Sequence, residues 1–122
     1  MAEMSVELVA VERRLWSGKA SFVVARTTEG EIGVLPRHVP VLAELEQGEI
    51  VRIDSVDSGE IHAAVDGGFL SITEEGVTIL AESAELRDEI DPERARVESD
   101  DEDPDVRARG RARLRATGHS VV

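Results

Sequence analysis

The chain has 122 residues, no cysteine and a formal net charge of −12 at pH 7. This length allows one compact domain with a small appendage, while the missing cysteine excludes disulfides and thiolate metal sites, and the negative charge argues against nucleic acid as a partner. Neither a membrane-spanning apolar run nor a signal-peptide pattern is present, so we expect a cytoplasmic protein that can still dock on a membrane complex.

Short strands separated by turns dominate residues 1–84. Period-2 alternation predicts a strand at 6–10 and, after a turn at 13–18, a second at 19–27. Further strands are predicted at 50–55, 61–65, 68–73 and 77–81, separated by Asp57-Ser58-Gly59, Asp66-Gly67 and Glu74-Glu75-Gly76. Short strands with glycine-containing turns predict an antiparallel β-sandwich, or flattened barrel, over residues 1–84.

The stretch 30–45 contains two prolines, Pro36 and Pro40, which bracket Arg37-His38-Val39. Because proline fixes φ and removes a ladder donor, the pattern predicts a stiff, exposed loop between two buried strands. Such a loop presents a fixed surface for binding. His38 could act as a metal ligand or a general base, but no partner ligands lie nearby in sequence. A structural or binding-loop role is therefore favoured.

The hydrophobic period changes after residue 84, and residues 85–122 predict two short helices. Asp91-Pro92 is a capped helix start and predicts a helix at 92–98. The acidic segment 99–103 then forms a linker, because its carboxylates repel one another. Asp103-Pro104 repeats the start signal and predicts a second helix at about 104–117.

The second helix is rich in arginine and has only a thin apolar stripe. On a helix, Val106, Gly110 and Leu114 share one face, so we expect a marginal helix that is stable only against a partner. Its cationic residues alternate with small ones; they are Arg107, Arg109, Arg111, Arg113 and Arg115. This charge allows the helix to bind either of two surfaces. One is the chain's own acidic surface, including residues 98–103, and the other is an acidic patch on another protein.

Four ordered motifs resemble the epsilon subunit of bacterial F-type ATP synthases. They are G-E-I-G-V-L-P-x-H-x-P in the loop stretch, V-D-G-G-F-L-S-I at 65–72, V-T-I-L-A at 77–81 and I-D-P-E-R-A at 90–95. The resemblance runs from about residue 6 to residue 95. One departure lies in the first motif, where the family usually has glycine and this chain has Arg37.

This resemblance implies a non-catalytic rotor subunit that holds gamma onto the membrane c-ring. It implies that Glu31 and His38, with Arg37 added in this chain, face the c-ring or gamma. The helical hairpin would regulate ATP hydrolysis by changing position along gamma, with transient contact to the catalytic alpha/beta head. The expected location is the cytoplasmic side of the cell membrane, peripheral to it through the complex. No cofactor is expected beyond weak ATP.

The I-D-P-E-R-A motif has two interpretations. Structurally, it is a capped helix start with an i,i+3 pair between Asp91 and Arg94. By resemblance, Ile90, Asp91, Arg94 and Ala95 match a motif with which some family members bind ATP. We favour the structural interpretation, because the second helix that would close such a site is short and differently spaced. The alternative function is a soluble ATP-sensing regulator that binds nucleotide at this hairpin.

An enzyme is not predicted. No constellation of nucleophile, base and oxyanion donors can be assembled from the sequence. A carbohydrate hydrolase built on a β-sandwich is disfavoured too, since no pair of carboxylates can be singled out.

Overall fold

A computed structural model describes residues 2–117 of the chain. Seven strands span Met4–Ala10 (β1), Arg14–Thr27 (β2), Gly30–Val34 (β3), Val41–Glu44 (β4), Gln47–Ser55 (β5), Glu60–Thr73 (β6) and Gly76–Leu86 (β7). A short 3-10 helix at Arg87–Glu89 leads into helices Pro92–Glu98 (α1) and Pro104–Ala116 (α2). This architecture confirms the predicted β-sandwich followed by a helical hairpin.

Five strands form a closed ring, because β1 pairs with both β7 and β2 in the order β1-β7-β6-β5-β2. The β1–β7 pairing is parallel, and the other pairings are antiparallel. β3 pairs with the C-terminal part of β2, and β4 pairs with the C-terminal part of β6. The long strands change neighbours along their length, so the ring flattens into two layers.

The main core lies between these layers and consists almost entirely of aliphatic side chains. Leu8, Ile53, Leu70 and Ile79 are each fully buried and come from β1, β5, β6 and β7. Fully burying a side chain of this size contributes roughly 1.5–3 kcal/mol. The scarcity of aromatic residues is therefore compensated by branched aliphatic residues, which pack well on a pleated sheet.

β6 is one continuous strand, so the predicted division into strands at 61–65 and 68–73 is wrong. Gly67 and Gly68 have φ angles of +65° and +110°, but they do not reverse the direction of the chain. Along β7 the register passes from the Asp66/Ser83 pair to the Gly68/Ala81 pair. The register with β7 is therefore the same on both sides of the two glycines. A Cβ on Gly68 would lie 1.9 Å from the Leu80 carbonyl oxygen, so glycine allows β6 to lie this close to β7.

The predicted turn at 13–18 is also wrong, because β2 begins at Arg14. Trp16 pairs with Leu8, and Gly18 pairs with Val6, so this segment extends the ladder with β1. A Cβ on Gly18 would lie 2.8 Å from the Trp16 ring. Glycine thus makes room for the indole in the strand and does not mark a turn.

The hairpin begins as the sequence predicts. The Asp91 side chain accepts hydrogen bonds at the start of α1, and that of Asp103 does so at the start of α2. α1 has the predicted bounds, and α2 ends at Ala116, one residue before its predicted end. β7 continues to Leu86, while the domain boundary at residue 84 stays a prediction. Neither helix of residues 2–117 has the length and apolar character needed to cross a membrane.

A second, smaller apolar cluster joins the hairpin to the sandwich. Its contributors from the sheet are Ala64 and the half-buried Ile50. The hairpin contributes Ile90, Ala95, Ala112, Leu114 and Ala116. Gly110 and Leu114 of the predicted stripe are buried and Val106 is half-buried. The marginal helix is thus stabilised by packing against the chain's own sheet.

Candidate functional site

The loop between β3 and β4 contains a tight turn at residues 35–38. The His38 N–H donates to the Leu35 carbonyl at 3.1 Å, with Pro36 second in the turn and Arg37 third. Arg37 has φ +69° and is the one non-glycine residue with positive φ within residues 2–117. This is the geometry of a type II turn, whose third position favours glycine. Arg37 therefore occupies a conformation that suits the glycine of the resembling family.

Arg37 and His38 both line a depression of about 240 Å³, which is also lined by Lys19 and by the acidic turn of Glu74 and Glu75. His38 is half-buried, and its Nδ1 lies 2.7 Å from the Val39 carbonyl oxygen. Within residues 2–117, no group of three histidine, cysteine or acidic side chains is arranged to hold a metal. The turn presents a guanidinium and an imidazole on a rigid backbone.

Glu31 lies at the other end of β3, about 13 Å along the strand from Leu35 at roughly 3.3 Å per residue. It pairs across the strands with Arg26 and faces a different depression, which also contains Arg52 and Arg115. The structure thus brings Arg37 and His38 together and leaves Glu31 apart.

The expectation that buried strands flank the loop is wrong. β3 and β4 are edge strands, and 74% of Leu42 is exposed.

The I-D-P-E-R-A segment forms the start of α1. Ile90 and Ala95 belong to the apolar cluster beneath the hairpin, so their side chains are occupied with packing. Asp91 Oδ1 accepts hydrogen bonds from the Glu93 and Arg94 N–H groups at 3.0 and 3.4 Å. The Arg94 guanidinium is largely exposed, with its Nε 3.8 Å from Glu98 Oε1. Each of these four residues thus has a visible local contact.

A depression of about 280 Å³ lies beside this segment. Its lining residues are Glu85, Glu89, Asp91, Arg94, Glu98 and Arg113. Arg113 is bound to Glu85 through a short contact between its Nε and Glu85 Oε1. The four carboxylates outnumber the two guanidiniums, so a triphosphate would meet net repulsion. This charge balance disfavours nucleotide binding in the docked hairpin.

Three arginines of α2 reach acids of the sandwich. Arg109 Nε lies 3.3 Å from Asp66 Oδ2, Arg113 binds Glu85, and Arg115 Nη2 lies 3.3 Å from Glu49 Oε2. Within residues 2–117, the acidic linker accepts one hydrogen bond from an arginine side chain of α2, and it goes from Arg107 Nη1 to the Asp101 backbone carbonyl at 3.3 Å. Arg111 forms no ion pair with any residue in the range 2–117. The arginine spacing therefore matches the sheet surface more than the linker.

Arg13 and Glu89 form an ion pair that has no signal in the sequence, since 76 positions separate them. The guanidinium donates to both Glu89 oxygens at 2.7 Å, and the Leu86 N–H donates to Oε1 at 3.0 Å. These hydrogen bonds lower the pKa of Glu89, that from Arg13 most of all. The pair ties the β1–β2 turn to the segment that leads into α1.

An exposed apolar row crosses the outer face of the layer formed by β4, β6, β7 and β1. Phe69 pairs with Leu80, which pairs with Val9, and Leu42 lies diagonally from Phe69 on the same face. Phe69, Leu80 and Leu42 are 50%, 45% and 74% exposed. We call these four residues the outer apolar row. Their alternation is visible in the sequence, but the pairing register that joins them is not.

Comparisons with known proteins agree on one family. Residues 3–87 match the family model described as the ATP synthase delta/epsilon chain, beta-sandwich domain. The ATP synthase epsilon chain of Mycobacterium avium (strain 104) is 58% identical over 118 residues, which cover 97% of this chain and 98% of that relative. The chain of the same name from Mycobacterium tuberculosis (strain ATCC 25618 / H37Rv) is 57% identical with the same coverage.

Two solved assemblies contain chains with a similar fold. One chain, from a Euglena gracilis mitochondrial ATP synthase structure of OSCP, F1 and c-ring, has a TM-score of 0.66 at 26% identity; the match covers 93% of this chain and 76% of that one. A second, from the central stalk and c-ring of the Tetrahymena thermophila mitochondrial enzyme, has a TM-score of 0.59 at 17% identity. That match covers 84% of this chain and 77% of the other, and it bears on the fold alone.

Proposed function

The chain belongs to the epsilon-chain family of the ATP synthases, and on this premise we propose that it links the gamma subunit to the c-ring in the central stalk. It is a non-catalytic subunit of a membrane-associated complex. Its location in this proposal is the cytoplasmic side of the cell membrane, to which it is attached only through the complex.

The outer apolar row is the observation that carries the contact with gamma. Its side chains are exposed on a rigid four-strand surface, while α2 covers the outer face of β5 and β6. Apolar residues that are exposed side by side on a sheet gain free energy when a partner covers them, at roughly 25 cal/mol per Å². A stalk subunit that must not slip against gamma needs such a surface, and the row offers one that docking of α2 leaves accessible.

The turn at 35–38 supports contact with the polar loops of the c-ring. Pro36 and the hydrogen bond between His38 and Leu35 fix its backbone, and the Arg37 guanidinium is exposed at its tip. A stiff polar turn can transmit torque without deforming, and exposed charge gives orientation more than affinity. Glu31 lies apart from this turn and contributes a second, separate contact point along edge strand β3.

The hairpin is the regulatory element in this proposal. Docked on the sandwich, α2 cannot reach the catalytic alpha/beta head; released, it can extend along gamma. Two ion pairs, Arg113 with Glu85 and Arg115 with Glu49, and a small apolar cluster hold it in the docked state. Contacts of this kind permit exchange between two states that differ by a few kcal/mol.

The contact with gamma is tested with Phe69→Asp in the full chain, by titrating the variant against purified gamma-containing complex stripped of epsilon. The charge would have to be buried without a partner, so we expect at least a tenfold loss of affinity. Val56→Asp is the matched control, because Val56 is 48% exposed and lies in the turn between β5 and β6, away from the row. Equal affinity of the two folded variants would refute the assignment of the row to gamma.

The contact with the c-ring is tested separately with the double change Glu31→Ala and His38→Ala. This variant should assemble with gamma normally, and its sandwich should remain folded. Coupling between proton flow and ATP synthesis in membrane vesicles should weaken. Wild-type proton pumping by the assembled double variant would show that these side chains make no contact with the c-ring that coupling requires.

A further inference from the structure

One carboxylate is enclosed between the sandwich and α2. Asp66 lies on β6, on the face that α2 covers, and only 8% of its side chain is exposed. It is the sole acid among the buried residues in the range 2–117. Its enclosure depends on the helix, because Arg109, Ala112 and Arg113 of α2 form one wall of the small void around it. When α2 leaves the sheet, Asp66 becomes a surface residue.

The groups around Asp66 compensate its charge incompletely. Arg109 Nε is 3.3 Å from Oδ2, but it makes no hydrogen bond, and Asp66 Oδ1 also has no partner among the described residues. Ser83 Oγ donates to Oδ2 at the long distance of 3.5 Å. A buried carboxylate oxygen without a donor is costly, and the cost falls when the group binds a proton.

Other elements packed against Asp66 add little that titrates. From α2, Arg109 and Arg113 stay charged, and Arg113 is already bound to Glu85 of β7. β7 also presents the neutral Ser83, and β5 presents the neutral Gln47 opposite Asp66. Burial raises the pKa of Asp66, against the opposing charges of Arg109 and Arg113 and the weaker effects of the Gly48 backbone and Ser83.

We propose that docking of α2 on the sandwich is coupled to proton uptake by Asp66, so that acidification favours the docked tail. Acid favours docking because the docked state, in which the pKa of Asp66 is raised, binds the proton more tightly than the undocked state, in which Asp66 is solvated. The stabilisation of the docked state by the proton is therefore fully present below the ordinary aspartate pKa, near 4. It is lost as the pH rises through the higher pKa that Asp66 has in the docked state. Across this window the docking constant rises by up to about tenfold for each unit of falling pH.

This coupling is a property of the chain itself and does not depend on the proposed contacts with gamma or the c-ring. It makes the position of the tail responsive to local proton concentration. The ion pairs of Arg113 with Glu85 and of Arg115 with Glu49 hold α2 on the sheet independently of Asp66.

The first test measures the pKa of Asp66 from the ¹³C shift of its carboxyl group in the full chain. We compare wild type with the double variant Ala112→Gln and Leu114→Ser, whose side chains cannot re-enter the apolar cluster. Amide shifts of α2 report that the helix is released. We expect a raised pKa in wild type and an ordinary pKa in the released variant. An ordinary or lowered pKa in wild type, or the same raised pKa in both proteins, would overturn the coupling.

The second test follows the docked fraction directly. Arg115→Ala removes one ion pair and brings docking into a measurable range, and α2 amide shifts give the docked fraction between about pH 4 and pH 8. We expect docking to increase as pH falls, and the increase to disappear when Asp66→Asn is added. Asp57→Asn, in an exposed turn of the sandwich, is the matched control and should retain it. A slope that survives Asp66→Asn would assign the effect to other groups and refute the proposal.

Discussion

Gly48 of β5 lies directly against Ala108 of α2. A Cβ placed on Gly48 would lie 2.7 Å from the Ala108 Cβ and 2.9 Å from the Ala108 carbonyl carbon. Gly48 also has φ +69°, and its carbonyl accepts a hydrogen bond from Arg115 Nη2 at 3.0 Å. A glycine at this position therefore allows α2 to lie directly on the sheet.

We predict that Gly48→Ala releases α2 while the sandwich stays folded, because the added methyl group overlaps Ala108. Gly59→Ala is the matched control, since Gly59 has nearly the same φ of +71° and has nothing within 4 Å of the position that a methyl group would occupy. Both changes carry the left-handed backbone cost of about 1 kcal/mol. Only Gly48→Ala should shift the α2 amide resonances to random-coil positions, and equal spectra for the two variants would contradict the contact.

Arg37→Gly should stabilise the protein. A non-glycine residue in the left-handed region costs about 1–3 kcal/mol, while glycine costs about 0.5–1 kcal/mol through chain entropy, so we expect a net gain of about 1 kcal/mol in the free energy of unfolding. Urea unfolding measures this gain. Arg37→Ala retains the unfavourable φ and lacks the guanidinium, so it should be as stable as wild type within about 0.5 kcal/mol. Equal stability of the glycine and alanine variants would show that the turn is unstrained.

The sequence predicts the sandwich well because turn residues and period-2 alternation are local signals. It predicts both helix starts for the same reason, since Asp91-Pro92 and Asp103-Pro104 each contain a complete capping signal. The errors at residues 13–18 and 66–67 arise where glycine has a tertiary purpose. Gly18 accommodates Trp16, and Gly68 allows β6 to lie close to the Leu80 carbonyl of β7. Neither role can be distinguished from a turn without the neighbouring strand.

The functional surfaces are less predictable because they depend on register between distant strands. Arg37 and His38 adjoin in sequence and in the structure, but the separation of Glu31 from them follows from the direction of β3. The contact of Arg109 with Asp66 joins residues that the sequence leaves unrelated. An arginine-rich helix predicts an acidic partner, and only the packing of α2 on β5 and β6 identifies which acids it meets.

Glu89→Gln should destabilise the protein at neutral pH. The ion pair with Arg13 lowers the pKa of Glu89, so its contribution is present above the ordinary glutamate value of about 4.3 and is lost as pH falls through the lower folded value. Urea unfolding should therefore show that the variant has a lower free energy of unfolding than wild type at pH 7, and that this difference is smaller near pH 3. Asp88→Asn, exposed in the same 3-10 helix, is the control and should show no deficit. A pH-independent deficit for Glu89→Gln would contradict the electrostatic origin.

ATP binding by the free chain should be weak or absent. The depression beside Arg94 contains four carboxylates against two guanidiniums, and a triphosphate adds further negative charge. Isothermal titration of the full chain with MgATP measures the affinity. Glu98→Gln removes one opposing charge and should raise any residual affinity, whereas Arg96→Ala, outside the depression, should leave it unchanged. Micromolar binding that Arg94→Ala abolishes would instead favour the ATP-sensing function.

Deletion of residues 105–122 should leave the sandwich folded and assembly intact, while ATP hydrolysis by the complex rises. The main core contains no residue from α2, so the deletion uncovers the small cluster around Ile50 and Ala64 and the neighbouring Asp66 but leaves that core intact. The full-length double variant Arg113→Ala and Arg115→Ala is compared with this truncation. It weakens docking but keeps the helix, so hydrolysis should fall as the released tail reaches the catalytic head. High salt should act in the same direction, because it screens the ion pairs. Unchanged hydrolysis in the truncated complex, at both low and high salt, would remove the tail from the regulation of this enzyme.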